Sequence, residues 1–437
     1  MALFGTTPPP PPKAAVPAGP DTLEQRYKNL LGAKGTTDAN TLTNGLLRTI
    51  LEFALREGAS DIHFDPQEDM ILLRFRIDGN LKDKLTFSKK DFSVTAQLRV
   101  MAGFTPQAAT AYTPEDGGFE IVAGDRSVRF RASAFPSIHG DKLVLRILDM
   151  GQNTLKLEHL GFSPDVLAQV QSAIQSPSGI FFVCGVTGGG KTTTLCSILK
   201  ALTRPEISIM TLEDPVEYSL PGVTQSKINP HAGFNFADGL RSILRQDPNI
   251  IMVGEIRDQE TAEIAIRAAL TGHLIFTTIH TISAVGVISR LVDIGIEPFL
   301  VSSSTVGVVA QRLVRRVCPQ CATPAAPAPN TVSKMLELLD PEATDAVKAI
   351  LASPEGKFVK TTGCPACNGS GYKGRIGVFE FLLLNNEIKA LIDAKACAAD
   401  LRKAAIKAGM RTLLMDGVTK ARAGLTTLDE VLLSVSE

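Results

Sequence analysis

The sequence predicts an α/β protein. Its core is a parallel sheet covered by helices and built around a phosphate-binding loop. A smaller α+β domain precedes it; a four-cysteine insertion and C-terminal helices follow. Three observations carry this reading. Gly185-Val-Thr-Gly-Gly-Gly190-Lys191-Thr192 fits G-x-x-x-x-G-K-[ST]. Short apolar strands alternate with helical stretches around it, which argues a parallel sheet. Two C-x-x-C pairs stand further along the chain.

Taken in order, residues 1–40 open with five consecutive prolines, Pro8 to Pro12. Such a stretch cannot bury a core and reads as an extended arm, with a short helix and linker after Asp21. Residues 41–150 read as an α+β domain. Leu46, Leu47, Ile50, Leu51, Ala54 and Leu55 fall on one helical face. Ile71–Ile77 alternates as a strand, and Asp78-Gly79 is a hairpin turn. Ser127–Ser133 and Lys142–Leu148 also alternate, giving an antiparallel sheet.

Residues 151–317 carry the nucleotide chemistry. Gly179–Cys184 reads as a buried strand and Thr193–Ala201 as a helix, so the loop sits between strand and helix. Gly185, Thr187, Gly188, Gly189 and Gly190 let backbone N–H groups close around phosphate oxygens at a helix N-terminus. Lys191 would reach the β and γ phosphates of ATP. Thr192 would hold Mg²⁺, with Thr193 beside it. Glu213 follows the strand Ile207–Leu212, and Glu255 follows Ile250–Val253. Ligands of parallel sheets bind beyond the carboxyl ends of strands. These acids are therefore placed on Mg²⁺ and the attacking water. His273 and His280 bracket the strand Leu274–Thr278, and His273 is assigned to the γ phosphate as a donor.

Arg74 and Arg76 alternate onto one face of their strand. Arg241 and Arg245 stand one helical turn apart. Each pair could thus point at one ligand.

Residues 318–372 hold Cys318, Cys321, Cys364 and Cys367. Two pairs suit a tetrahedral structural zinc, whereas redox chemistry needs one pair. The gap between the pairs contains a helical stretch near Lys334–Leu351. Cys184, Cys196 and Cys397 read as small buried residues of a reducing compartment. Residues 373–437 read as amphipathic helices, broken at Gly409 and Gly424.

Charge is balanced at 45 basic and 45 acidic residues, which argues against nucleic acid as a partner. The start of the chain lacks a signal-peptide pattern, and no apolar run suits a membrane span. A cytoplasmic location is expected, with any membrane association made through partner proteins.

The chain resembles the secretion ATPases that drive type II secretion and type IV pilus assembly. The matching stretches are Ala59–Pro66, Leu73–Gly79, the phosphate loop with Thr192–Thr194, Leu212–Tyr218, Leu240–Pro248, Val253–Asp258, Ala269–His273, the four cysteines, Gly374–Glu380 and Gly409–Leu413. The resemblance implies a RecA-like motor domain behind a PAS-like domain, assembled as a homo-hexamer. It implies an inner-membrane platform protein as partner, and a membrane-anchored docking protein as a further one. It places Glu213 in an aspartate box, Glu255 in an atypical Walker B motif and His273 in a histidine box. It also implies that Arg74, Arg76, Arg241 and Arg245 approach phosphates within or between subunits. The zinc knuckles resemble those of the assembly and secretion branch. Two other readings stay open at this stage: a DNA-translocating motor, and a non-hydrolysing nucleotide-binding regulator.

Overall fold

The computed structural model describes residues 22–105, 113–123, 126–148, 156–229, 232–352 and 357–436. The proline run lies outside them. The chain divides into two units, Met1–Asp149 and Met150–Glu437.

The first unit contains α1 (Leu23–Gly32), α2 (Ala39–Arg56), β1 (Ala59–Pro66), β2 (Met70–Ile77), β3 (Asn80–Ser88), α3 (Val94–Met101), β4 (Glu115–Ala123), β5 (Arg126–Ser137) and β6 (Gly140–Leu148). Its strands form one antiparallel sheet in the order β3-β2-β1-β6-β5-β4. Asp78 and Gly79 both take positive φ, at 49° and 89°. Two such residues match the right-handed twist of a two-residue hairpin, so the turn links β2 to β3 in register. The stripe Leu46, Leu47, Ile50, Leu51 and Ala54 on α2 is buried with Leu73, Phe75 and Phe130 of the sheet. The opening of this unit differs from the sequence reading. Leu23 of α1 is buried in the same core, with Tyr27 and Leu30 packed against it. The short helix expected after Asp21 is α1, and it belongs to the folded unit rather than to the arm, because its apolar face finds a partner on α2.

The second unit is built on a seven-stranded sheet. It contains α4 (Pro164–Ala173), β7 (Gly179–Cys184), α5 (Lys191–Leu202), β8 (Ile209–Glu213), β9 (Thr224–Lys227), α6 (Phe236–Ile243), β10 (Ile250–Val253), α7 (Gln259–Leu270), β11 (Leu274–Ile279), α8 (Ala284–Asp293), α9 (Pro298–Ser304) and β12 (Thr305–Val317). Next come β13 (Ala322–Pro324), α10 (Pro329–Glu337), α11 (Pro341–Ala352), β14 (Val359–Thr361) and β15 (Tyr372–Leu383). The chain closes with α12 (Asn386–Asp393), α13 (Ala398–Lys407), α14 (Leu413–Arg422) and α15 (Leu428–Ser436). The large sheet runs β15-β12-β7-β11-β10-β8-β9. All neighbours are parallel except β15, which runs antiparallel to β12. Both faces of β7 are covered. Ile180, Phe182 and Cys184 enter one core, and Phe181 and Val183 enter the other. A strand buried on both faces reads as a continuous apolar run, which is why it was visible in the sequence.

Two further points refine the sequence reading. Residues 373–437 are not all helical, because β15 continues the main sheet before the helices begin. The helical stretch between the cysteine pairs is two helices, α10 and α11, and both pack back onto the C-terminal helices. Met335 and Val347 are buried against Leu414, Val418, Leu428 and Val431 of α14 and α15.

One buried ion pair ties α14 to β15. Lys420 donates to Asp416 one turn earlier, and Asp416 also accepts the backbone N–H of Phe379 at 2.8 Å. Removing one member of such a pair strands the other charge in the core. Asp416→Ala is therefore expected to cost about 3–5 kcal/mol, read in the calorimetric transition of this unit.

Candidate functional site

The parallel sheet gathers the loops after its strands at one edge. β7 ends at Cys184, and the chain turns at Gly185 into the phosphate loop. A β-carbon at Gly185 would stand 2.4 Å from the Gln311 carbonyl oxygen, so the loop is pressed directly onto β12. Gly188 and Gly190 have φ of 75° and 85°, a region costly to other residues. Gly190 caps α5 in the left-handed conformation, and Lys191 starts that helix. The free N–H groups of the first turn then face the loop, as an anion site requires.

Lys191 curls over the loop, donating to the carbonyls of Gly185 at 2.9 Å and Val186 at 3.0 Å. Burial is the main influence drawing its ammonium below lysine's usual range. Thr192 is half-buried in the first turn of α5, and Thr187 is exposed at the loop crest. The Thr193 hydroxyl lies 3.2 Å from Tyr218 Oη. Cys184 and Cys196 flank the loop as buried thiols. Burial pushes each up to about 12, so both stay protonated and serve as packing.

Gln311 is a residue the sequence reading missed. It is 1% exposed on β12. Its Nε2 donates to the Gly189 carbonyl at 2.6 Å, and its Oε1 accepts from Thr194 Oγ1 at 2.7 Å. It thereby clamps the loop to the first turn of α5. The available signal was a Gln-Arg step interrupting the apolar run Val306–Val314. Gln311→Leu leaves two buried groups without their partners, at about 1–3 kcal/mol each. ATP affinity is expected to fall roughly tenfold, about 1.4 kcal/mol of it lost from binding. Equilibrium titration with a fluorescent ATP analogue checks this.

Glu255 follows β10, at the same carboxyl end of the sheet as the phosphate loop. Its Oε1 accepts from Arg257 at 2.6 Å, and its Oε2 lies 3.4 Å from His280 Nε2. The Arg257 hydrogen bond, helped by the charge of Lys191, holds its carboxyl below the usual range. It is thus an ionised acid at working pH. Glu213 ends β8 and differs. It is 3% exposed, and its Oε1 accepts from Thr211 Oγ1 at 2.7 Å and Gln225 Nε2 at 2.8 Å. Burial pushes its carboxyl up. Its two accepted hydrogen bonds suit a buried hydrogen-bond hub better than a bare metal ligand.

His273 is where geometry corrects the sequence. β11 runs parallel to β7, with Leu274 beside Gly179 and Ile279 beside Cys184. His273 therefore lies at the amino edge of the sheet, about 17 Å of strand away from the loop edge. Its Nδ1 sits 3.0 Å from the Ala268 carbonyl, closing the end of α7. A γ-phosphate contact within the chain does not fit that position. His280, at the other end of the same strand, stands beside Glu255 instead. His280→Ala is expected to lower kcat at least tenfold, while His273→Ala stays within about threefold. Side-by-side steady-state assays decide between them.

The four arginines are held by acids or by their own helix. Arg241 lies in the last turn of α6, paired with Asp238 at 3.1 Å and with Glu260 of α7 at 2.5 Å. Arg245 lies beyond that helix and donates back to the Arg241 carbonyl at 3.0 Å and Ser242 Oγ at 3.2 Å. Arg74 and Arg76 share one face of β2 in the first unit, as their alternation predicted. Arg74 Nε is 2.6 Å from Asp65, and Arg76 Nε is 3.5 Å from Asp61.

The four cysteines converge. Their sulfurs lie within 4.8 Å of one another. Cys318–Cys364, Cys321–Cys367 and Cys364–Cys367 are 3.8, 3.9 and 3.7 Å apart. A tetrahedral ion with bonds of about 2.3 Å to sulfur sets its ligands about 3.8 Å apart, so the donor set fits zinc. Burial opposes ionisation of Cys367, yet the backbone N–H groups of Cys364 and Gly371, together with the neighbouring Cys364 and Cys321 thiols, draw this thiol down.

Comparison with known proteins adds to this geometry. A family model described as "Type II/IV secretion system protein" matches residues 36–433. The type II secretion system protein HxcR of Pseudomonas aeruginosa is 42% identical over 388 residues, 89% of this chain and 76% of its own length. The type II secretion system ATPase E of Vibrio cholerae is 42% identical over 388 residues, 89% of this chain and 74% of its own. The type IV pilus assembly ATPase PilB of Thermus thermophilus is also 42% identical, over 88% of this chain. The match spans only 42% of that longer protein. Among solved structures, the pilus retraction motor PilT with bound ADP superposes with a TM-score of 0.60 at 26% identity, covering 88% of this chain and 95% of PilT. The Legionella pneumophila ATPase DotB gives 0.65 at 21% identity, over 89% and 94%, and supports the fold.

Proposed function

The chain belongs to the type II/IV secretion system protein family, and from that premise we propose that it is a Mg²⁺-dependent ATPase. Its work would be to power pilus or pseudopilus assembly, or type II secretion. The observation that carries this is the phosphate loop after β7 and the Glu255–Arg257–His280 group after β10 and β11, which lie at the carboxyl ends of parallel strands of one sheet. ATP binds through the N–H groups of Gly188, Gly189 and Gly190 and the ammonium of Lys191. Glu255, held by Arg257 and flanked by His280, orients and accepts a proton from the attacking water. Mg²⁺, held by Thr192 with Glu255 and Glu213 behind it, would offset charge on the phosphates. Glu213 serves from its buried position by fixing Thr211 and Gln225. The four-cysteine cluster holds a structural zinc.

The working form is a homo-hexameric ring. In it Arg74, Arg76 and Arg241 would exchange their acidic partners, and Arg245 its acceptors on its own helix, for phosphate, in the same or a neighbouring subunit. Among the described residues no helix is long and apolar enough to cross a membrane. The ring would act from the cytoplasmic side on an inner-membrane platform protein, with a membrane-anchored docking protein as a second contact. The test is steady-state ATP hydrolysis by the purified chain and by Glu255→Gln, with and without the cytoplasmic domain of a candidate platform protein. Turnover that requires Glu255 and rises with the platform supports the proposal. Stimulation by DNA instead would point to a translocating motor, and ATP binding without turnover in any condition to a regulator.

A further inference from the structure

The first N–H groups of α8 have no partner within the helix and must find acceptors elsewhere. Ser283 supplies one, its Oγ accepting from Gly286 N at 3.2 Å. The N–H of Ala284 is met from outside, by Glu380 Oε1 of β15 at 2.8 Å. Glu380 is 1% exposed, and a carboxylate that deep needs a cation. Arg402 of α13 provides it, with one guanidinium nitrogen 3.3 Å from Glu380 Oε2. The same guanidinium forks onto Asp340 at 2.7 and 2.9 Å. Asp340 immediately precedes α11, inside the segment that separates the two cysteine pairs.

These contacts meet at a functional stretch. Residues 280–284 lead from His280, beside Glu255, into α8. The stretch is held at two further points, where Arg312 donates to the Ile282 carbonyl at 3.2 Å and Cys184 Sγ to the Ser283 carbonyl at 3.4 Å. The third hold, Glu380, is the one that connects outward.

We propose that Glu380 and Arg402 are positioning residues for His280, and that the Glu380–Arg402–Asp340 chain couples residues 280–284 to the insertion between the cysteine pairs. Its effect on turnover rests on the ATPase reading; its effect on the position of α8 does not. Glu380 fixes the start of α8 and so the reach of His280 toward Glu255. Arg402 shares its planar fork between the site and the insertion, so displacement of α11 loosens the carboxylate that holds α8. A lysine there keeps the charge but loses the two-point grip.

The test uses the full chain with its metal bound, comparing Arg402→Gln, Arg402→Lys, Asp340→Asn and the double variant D340N/R402Q. Lys403→Gln is the control. Its exposed pair with Glu342, at 3.5 Å, joins the same helices without touching Glu380. Hydrogen exchange at the amides of residues 284–287 is expected to speed at least tenfold in Arg402→Gln. Asp340→Asn gives a smaller rise, and Lys403→Gln none. With ATP, kcat should fall about 5- to 20-fold at a KM within twofold, and Arg402→Lys should recover part of it. The double variant should be no worse than Arg402→Gln alone, since both break one chain of contacts. Unchanged exchange at 284–287 overturns the proposal, as do additive effects in the double variant or a loss confined to KM. Should the wild type show no turnover at all, the functional reading fails while the exchange result still decides this one. Asp340→Asn keeps the test open if Arg402→Gln does not fold.

Discussion

Lys191→Ala is expected to reduce ATP turnover by at least 10²- to 10³-fold, the range for losing one charged stabiliser of a transition state. In this chain the ammonium is the cation of the loop itself, and it stands within electrostatic reach of Glu255. Its removal takes away the charge that draws the phosphates in and part of what keeps Glu255 ionised. The fold should barely notice. Lys191's own contacts are two hydrogen bonds to loop carbonyls. Their loss, at about 0.5–1.5 kcal/mol each, is offset by no longer burying an ammonium. Steady-state assays with circular dichroism and calorimetry on the same preparation check both halves. Turnover near the wild-type rate would remove the phosphate loop from the mechanism. A collapsed melting transition would mean that Lys191 is structural.

The site was legible in the sequence where its logic is local. The phosphate loop is a continuous run whose glycines serve backbone conformation, and its strand is apolar because both faces are covered. Glu255 could be assigned to the loop edge because it stands two residues past a strand of that sheet. The histidines are separable only through the parallel order of the strands. His273 and His280 bracket one strand, and which end meets the loop depends on the register of β11 against β7. That register is a tertiary fact. It follows once all these strands are parallel, since their carboxyl ends must lie together. Gln311 was hidden for a related reason. A polar residue in a buried strand signals a partner without naming it, and the partner is some 120 residues earlier in the chain. The strand Tyr372–Leu383 was missed because β15 draws its stability from β12 across the cysteine insertion, and its order follows from a pairing across more than fifty residues. In each case the residue type was visible and its neighbour was not.

The cysteine cluster carries the second large effect. Metal analysis should find close to one zinc per chain, and Cys364→Ser/Cys367→Ser should lose it. For an isolated zinc-finger peptide the ion supplies about 10–16 kcal/mol of apparent binding energy, which is its folding energy. Here the loss should be partial. β12 and β15 pair along their length outside the cluster, and α10 and α11 are buried against α14 and α15. What depends on the ion is the two-stranded β13–β14 ribbon and the knuckles, where Cys318 N donates to the Gly371 carbonyl at 2.9 Å. The expected result is a local transition. New protease cuts should appear between residues 318 and 371, while the main calorimetric transition moves only a few degrees. A coupled site gives a further signature. If Arg402 transmits order from the insertion, loss of zinc should lower kcat several-fold and speed exchange at residues 284–287, while the affinity for ATP at the Lys191 loop holds. Retained zinc in the double serine variant would exclude these sulfurs as the ligand set. Complete unfolding of the motor unit would show that the ion holds far more than the ribbon it sits in.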